Sequence, residues 1–330
     1  MTLLDLDAVR AAARRLDGVT LRTPLLPGPS AGDASRTLLL KPENLQVTGS
    51  FKLRGAYNRL VSLSAAERGR GVVAQSSGNH GKALAYAGRL LDVKVTVVVP
   101  DTAAPVKVAA IRGHGASVRS VPAADLATAV REFAEESGSV VVPPFDDLGV
   151  IAGQSTVGLE IFEQASEMGV APDTVLVPVS GGGLISGVAA ALKRLLPAVR
   201  VIGVEPETAA DARESLHSGR RVTWPTTLTG RTLADGMRSS SVGVIPFAHI
   251  QEYVDDIITV SESEIRETVA VLARESRVVA EPSGAVTTAA FLHHRDDLPP
   301  GALHVAVVSG GNIDPDLLSR LLARYGGPAH

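Results

Sequence analysis

Short runs of valine, leucine and isoleucine recur along the chain, separated by stretches in which apolar residues return every three or four positions. The runs predict strands over Thr37–Lys41, Gly71–Gln75, Lys94–Val99, Ser117–Val121, Val140–Val142, Thr174–Val179, Arg200–Val204, Ile257–Val260 and Leu303–Val308. Between most of them lie patterns of helical spacing, such as KALAYAGRLL, APVKVAAIRGHG and LISGVAAALKRLL, and several are expected to stop on glycine, as at Gly113. The run VTVVVP is apolar enough to be covered on both faces. Strand–helix alternation at this spacing predicts an α/β fold with doubly wound, mostly parallel sheets.

A chain of 330 residues suits two lobes or one large α/β unit, and 45% hydrophobic residues can fill such cores. With only 3% aromatics, those cores must be aliphatic. A net charge of -3 without a basic block argues against nucleic acid as a partner. Cysteine is absent, which excludes disulfides, thiolate metal sites and a cysteine nucleophile. The N-terminal MTLLDLDAVRAAARRLDG has helical spacing rather than a continuous apolar core, and no run is long enough to span a bilayer. A soluble, cytoplasmic protein with no membrane partner is expected. Composition marks no domain boundary; the turn-rich SLSAAERGRG near residue 64 and PPFDDLG near residue 146 are the candidates.

Three predicted strands end in small polar turns. TVLVPVSGGGLISG runs from a strand through Ser180-Gly181-Gly182-Gly183 into a helix. Consecutive glycines let backbone N–H groups crowd around an anion, and the helix N-terminus adds positive potential, so the turn suits a phosphate. It is neither a Walker loop nor a dinucleotide fingerprint, because the lysine and the glycine spacing are wrong for each. A tight turn packed with small residues explains the same letters. GVVAQSSGNHGKAL places Ser76-Ser77-Gly78-Asn79-His80-Gly81 in a similar turn, able to bind a carboxylate, or else merely capping a helix. VAVVSGGNID ends a third strand at Ser309-Gly310-Gly311-Asn312. In doubly wound sheets, ligands sit outside the carboxyl ends of strands, so the three turns carry more together than apart. In VIGVEPETAADARESL, Glu205 and Asp211 with an intervening carbonyl could serve a hard cation, while a solvated acidic helix start fits equally. GPSAG, residues 28–32, matches a serine-hydrolase pattern but lacks the preceding strand and following helix that Ser30 would need. The eight histidines show no metal-ligand spacing.

Lys52, set in KPENLQVTGSFKLRGAYNRL, has neighbours more suited to chemistry than to a surface. A phosphate cradle, a positioned lysine, a carboxylate-binding turn and no nicotinamide fingerprint together suggest pyridoxal 5′-phosphate, which needs a Schiff-base lysine, an anion site and a ring-nitrogen partner. With GSFKLRGA, SSGNHG, SGGGL, VIAGQST, EPSGA and VSGGNID in this order and spacing, the chain resembles the threonine/serine dehydratase and serine racemase group of fold-type II pyridoxal-phosphate enzymes, from about Thr23 to Asp314.

The resemblance implies two lobes, tryptophan synthase β-like: a large cofactor-binding domain over 1–64 and 150–330, and a small mobile domain over 65–149. It implies that Lys52 forms the Schiff base and exchanges the Cα proton, with Phe51 near the ring. Ser180, Gly181, Gly182, Gly183 and Leu184 would hold the phosphate, Asn79 the phenolic oxygen, and Ser309 the ring nitrogen. Ser76, Ser77, Gly78, Asn79 and His80 would grip the substrate carboxylate. The expected activity is an ammonia-lyase converting a β-hydroxy amino acid, such as L-threonine or L-serine, to a 2-oxo acid and ammonia. Ser77 matches the opposite-face proton donor of racemase relatives, and Glu205, Ala209 and Asp211 match the spacing of their Mg²⁺ or Ca²⁺ site. Serine racemase or 3-hydroxyaspartate dehydratase is therefore the alternative, although PPFDDLG is closer to the dehydratases. A homodimer or homotetramer is expected. Only 16 residues follow Asp314, so isoleucine feedback through a C-terminal regulatory domain is not expected.

Overall fold

The computed structural model describes residues 2–325. They form ten strands: β1 (Leu26–Pro27), β2 (Thr37–Pro42), β3 (Val72–Gln75), β4 (Val95–Pro100), β5 (Ser117–Val121), β6 (Val140–Val141), β7 (Thr174–Pro178), β8 (Arg200–Pro206), β9 (Asp256–Val260) and β10 (Leu303–Val308). A six-stranded sheet has the order β1-β2-β10-β7-β8-β9 and a four-stranded sheet the order β5-β4-β3-β6. Every strand pairing is parallel except that of β1 with β2. The expected strands are all present within a residue or two at each end; β1, at two residues, is too short to leave an apolar signature. The helix Pro105–Gly113 does end near the expected glycine, but its left-handed turn falls at Gly115, with φ 92°.

Period-two alternation divides the larger sheet's core. Val305 and Val307 enter one layer with Val175, Val177 and Val188; Ala306 and Val308 enter the other with Leu40, Leu176 and Phe291. Each buried aliphatic side chain contributes roughly 1.5–3 kcal/mol. The smaller sheet packs Val72, Ala74, Val95 and Val97 against Leu84 of the helix Asn79–Leu91 and against Leu53, Ala56 and Leu60 of the helix Lys52–Val61. Lys52 thus begins a helix whose apolar face lies on the smaller sheet's core.

Behind that helix sits an ionic cluster in which Arg54, Glu43 and Lys41 are buried and Glu160 is nearly so. Arg54 Nε donates to Glu43 (2.7 Å) and its Nη1 to Glu160 (2.6 Å), while Lys41 Nζ donates to Glu160 (2.6 Å) and Gln164 (3.0 Å). Two cations and two carboxylates balance, and together they tie β2 and the 52–61 helix to the helix Leu148–Glu167. Among the described residues, no helix is long and apolar enough to cross a membrane.

Candidate active site

The carboxyl ends of β3, β7 and β10 open into one cavity of about 640 Å³. Its wall includes Phe51, Lys52, the Ser76–His80 turn, the Ser180–Leu184 turn and Ser309, so residues up to 258 positions apart in sequence meet there. The anion-binding potential of the two glycine turns is visible in their caps. The helix Asn79–Leu91 starts after Gly78 and the helix Gly183–Leu195 after Gly182, and in neither does a side chain cap the first N–H groups. Ser76 and Asn79 therefore do not act as simple caps; Ser76 Oγ accepts from Gly78 N (3.2 Å) within the turn.

The glycines are required. Gly182 has φ 89°, a left-handed conformation open to glycine at little cost. A Cβ on Gly181 would lie 2.1 Å from the Phe145 ring, so Phe145 presses directly on the turn. Phe145 belongs to the PPFDDLG stretch, which the sequence marks only as a possible boundary. There Asp146 accepts hydrogen bonds from the backbone N–H of Val244 (3.1 Å) and Ile245 (2.8 Å), Asp147 caps the 148–167 helix at Val150, and the Pro144 carbonyl accepts from Lys52 Nζ (2.8 Å). The stretch is the floor of the site.

Lys52 Nζ lies 5.0 Å from the centre of the Phe51 ring and has no ion-pair partner among the described residues. Burial alone pushes its pKa down to about 8. His80 is buried, with Nε2 against the Val142 carbonyl (3.0 Å) and Nδ1 unpartnered among the described residues; burial, then the Lys52 charge, push its pKa down to about 3, so it is neutral. Ser309 Oγ donates to the Ser283 carbonyl (3.2 Å), and Ser180 Oγ to Ser239 Oγ (3.0 Å). An amine whose pKa is lowered by burial, two uncapped helix N-termini and a neutral hydroxyl fit the amine-, phosphate- and pyridine-binding needs of pyridoxal 5′-phosphate.

Glu205, Ala209 and Asp211 lie outside this cavity. The reading of a solvated acidic helix start fails here, because both carboxylates are buried. Glu205 accepts from the N–H of Ala212 (3.2 Å) and Arg213 (2.8 Å), while among the described residues neither Asp211 oxygen has a partner at full hydrogen-bonding geometry, the backbone at Asp211 and Val242 offering only weak interactions. Burial, then Asp211, push Glu205 well above the carboxylate range, and burial pushes Asp211 up to about 7. Among the described residues no cluster of three His, Cys, Asp or Glu side chains is arranged to hold a metal. Ser30 lies on a loop away from the cavity, accepting from Gly32 N (3.1 Å), as its sequence context implies. Glu281 and Asn312 also stand on the cavity wall, although in the sequence they carry no role beyond being letters of the EPSGA and VSGGNID motifs.

Residues 16–310 match the family model described as pyridoxal-phosphate dependent enzyme. The chain is 40% identical over 324 residues to an L-threonine ammonia-lyase of Thermotoga maritima, covering 97% of this chain and 78% of the relative. It is 38% identical to a serine racemase of Dictyostelium discoideum, covering 98% and 99%. A solved structure of a threonine deaminase from T.th. superposes with a TM-score of 0.89 at 44% identity, covering 94% and 99%. A lysine, glycine turns and a serine hydroxyl converge at the strand ends of this fold, and the chain belongs to the pyridoxal-phosphate dependent enzyme family.

Proposed function

We propose that the protein is an ammonia-lyase that converts a β-hydroxy amino acid, such as L-threonine or L-serine, to the 2-oxo acid and ammonia. The observation that carries the reading is Lys52, an amine without a counter-ion on the wall of a cavity that also contains the Ser180–Gly183 turn. The identity with an L-threonine ammonia-lyase over nearly the whole chain supports the same reaction class.

In this reading Lys52 holds the cofactor through its amine, Ser180–Leu184 its phosphate, Asn79 its phenolic oxygen, Ser309 its ring nitrogen and Phe51 a ring face. The cofactor, when bound, supplies the electron sink that lets a Cα–H bond break. Ser76–His80 bind the substrate carboxylate with the N–H groups that open the 79–91 helix; the His80 ring, turned to Val142, is not the donor. With a pKa about 8, roughly a tenth of Lys52 is neutral at pH 7. Once the substrate's amine has taken its place, the freed Lys52 amine would be able to take the Cα proton as a base, and the resulting ammonium to protonate the departing β-hydroxyl. Ser309 is a neutral hydroxyl that would turn its proton from the Ser283 carbonyl to the ring nitrogen, and it gives that nitrogen no carboxylate to keep it protonated, which favours rapid elimination.

A second activity has its own support. Ser77 lines the cavity and can exchange a proton on the face opposite Lys52, giving racemase side activity. We extend the proposal to Mg²⁺ or Ca²⁺ at Glu205, Asp211 and the Ala209 carbonyl, where a cation would neutralise two buried carboxylates and give the Asp211 oxygens a partner. The 65–149 lobe is proposed to close over substrate. A homodimer or homotetramer is proposed from exposed Leu45 and Val47, flanked by Leu21 and Val279, whose backbones bond to Gln46 and Asn44 of the same turn.

The test is a panel of L- and D-serine, L-threonine and 3-hydroxyaspartate, assayed for 2-oxo acid, ammonia and the chirality of recovered substrate. Formation of 2-oxo acid from an L-hydroxy amino acid is expected. Turnover without elimination, by racemisation alone, would move the assignment to the racemase reading.

A further inference from the structure

Glu281 is the residue at which the helix Pro282–His293 begins, yet its carboxylate does not cap that helix. It turns into the cavity, where Oε1 accepts a 2.6 Å hydrogen bond from Asn79 Nδ2, 202 positions away in sequence. Its position is closely built. The Glu281 N–H donates to the Gly310 carbonyl (3.0 Å), and a Cβ on Gly310 would lie 2.4 Å from Glu281 Oε1. The carboxylate therefore rests against the turn that carries Ser309. The chain reaches it through a π-helical turn, Leu272–Ser276, and then Arg277 in the left-handed region at φ 58°. Such irregularity within a helix is frequent at functional sites.

The hydrogen-bond chain continues on the other side of Asn79. Asn312 Nδ2 donates to Asn79 Oδ1 (2.7 Å) and to the Thr48 carbonyl (2.9 Å), and Lys82 Nζ donates to Asn312 Oδ1 (2.9 Å). An ammonium can only donate, so Asn312 must turn its oxygen to Lys82 and its NH₂ to Asn79. Asn79 then has its oxygen occupied, and offers its NH₂ to Glu281 and to the cavity. Carbonyl and amide ends are thereby assigned along the whole chain by its donors, without reference to a ligand.

We propose that Glu281 is a positioning residue: through Asn79 it fixes a donor toward the cofactor's phenolic oxygen, and through its charge it sets how readily that oxygen loses its proton. The inference rests on the cavity being the cofactor site, as proposed above. Burial, then the negative charge of Asp235, push the Glu281 pKa up to about 7, offset by the Asn79 bond, by Lys107 and by the Asn312 N–H. Asp235 comes from the turn Asp235–Met237, Lys107 from the 105–113 helix and Lys82 from the 79–91 helix; the first turn of Glu281's own helix has no charged side chain. The raised carboxyl is neutral below that pH and anionic above it. Its anion opposes ionisation of a neighbouring oxygen, so the spectrum of the bound cofactor should change near neutral pH.

The experiment records absorbance spectra of the cofactor-loaded protein from acid to alkaline pH, for wild type and Glu281→Gln, with cofactor affinity and steady-state constants measured alongside. Wild type should show a step near neutrality that Glu281→Gln loses or moves by about one unit or more. The variant's kcat should fall about tenfold with KM little changed, as for other residues that hold a ligand-binding group in place. Glu281→Asp should restore the step. If Glu281→Gln does not fold, Asn312→Ser, which releases the Asn79 amide with Glu281 intact, must alter the spectrum; an unchanged spectrum overturns the proposal. A wild type that binds the cofactor, with the same titration in Glu281→Gln, overturns this inference alone. A wild type that binds no pyridoxal 5′-phosphate overturns the cavity assignment and this inference with it.

Discussion

Replacing Lys52 by methionine removes an amine whose protonation the fold opposes. The wild-type pKa falls from 10.5 to about 8 through burial alone. At about 1.36 kcal/mol per unit, that shift corresponds to at most ~3.4 kcal/mol. The side chain is only part-buried, with the cavity on one side, so water there lowers the effective cost to roughly 1–3 kcal/mol. The sign follows from linkage. A lysine with a depressed folded pKa binds fewer protons folded than unfolded between the two values, so stability is lost as pH falls through 10.5 to 8. Below about 8 the full cost is present. Lys52→Met removes it, but also leaves the Pro144 carbonyl without its 2.8 Å donor, a loss of about 0.5–1.5 kcal/mol that does not vary with pH. Cofactor-free wild type and Lys52→Met are compared by urea denaturation, followed by circular dichroism, at pH 7 and near pH 10. The variant should gain about 1–3 kcal/mol relative to wild type at pH 7 compared with its relative stability near pH 10. A stability difference that does not change with pH would refute the argument that burial, unassisted, depresses this amine.

Other perturbations separate the parts of the site. Gly181→Ala forces a Cβ into the Phe145 ring, so cofactor affinity should fall at least about tenfold in a spectroscopic titration, with partial recovery in Gly181→Ala/Phe145→Leu. Arg54→Met leaves Glu160 paired with Lys41 but Glu43 buried with only the Thr23 hydroxyl as side-chain partner, and should cost about 3–5 kcal/mol by urea denaturation. Mg²⁺ or Ca²⁺ at about 100 times its dissociation constant should stabilise wild type by about 2.7 kcal/mol, and Asp211→Asn should abolish the response in a thermal melt. A shared response in wild type and variant would remove Asp211 from the cation site.

Much of the architecture was legible because burial on both faces leaves uninterrupted aliphatic runs, as in β4 and β7. The glycine turns were legible as well, since Gly182 at φ 89° leaves a mark that few other residues can replace. The floor of the site was not. Pro144 serves through its carbonyl and Phe145 through its shape, and neither role changes the residue type in a way that spacing reveals. The bland reading of Glu205 and Asp211 failed for a related reason: acidic letters at a helix start do not say which face the fold will cover, and β8 carries Glu205 into the interior. Glu281 shows the remaining gap. Its N-cap position suggests a local role, whereas its partner is on a helix of the other sheet.

The central claim is that Lys52 is the amine that holds the cofactor. Borohydride reduction of the protein loaded with pyridoxal 5′-phosphate, followed by peptide mass analysis, tests it directly. The pyridoxyl mass should appear on the peptide containing Lys52 and not on those containing Lys41, Lys82 or Lys107. Lys41 is ion-paired in the interior, and the other two line the same cavity. A label on Lys82 or Lys107 with Lys52 unmodified would contradict the account.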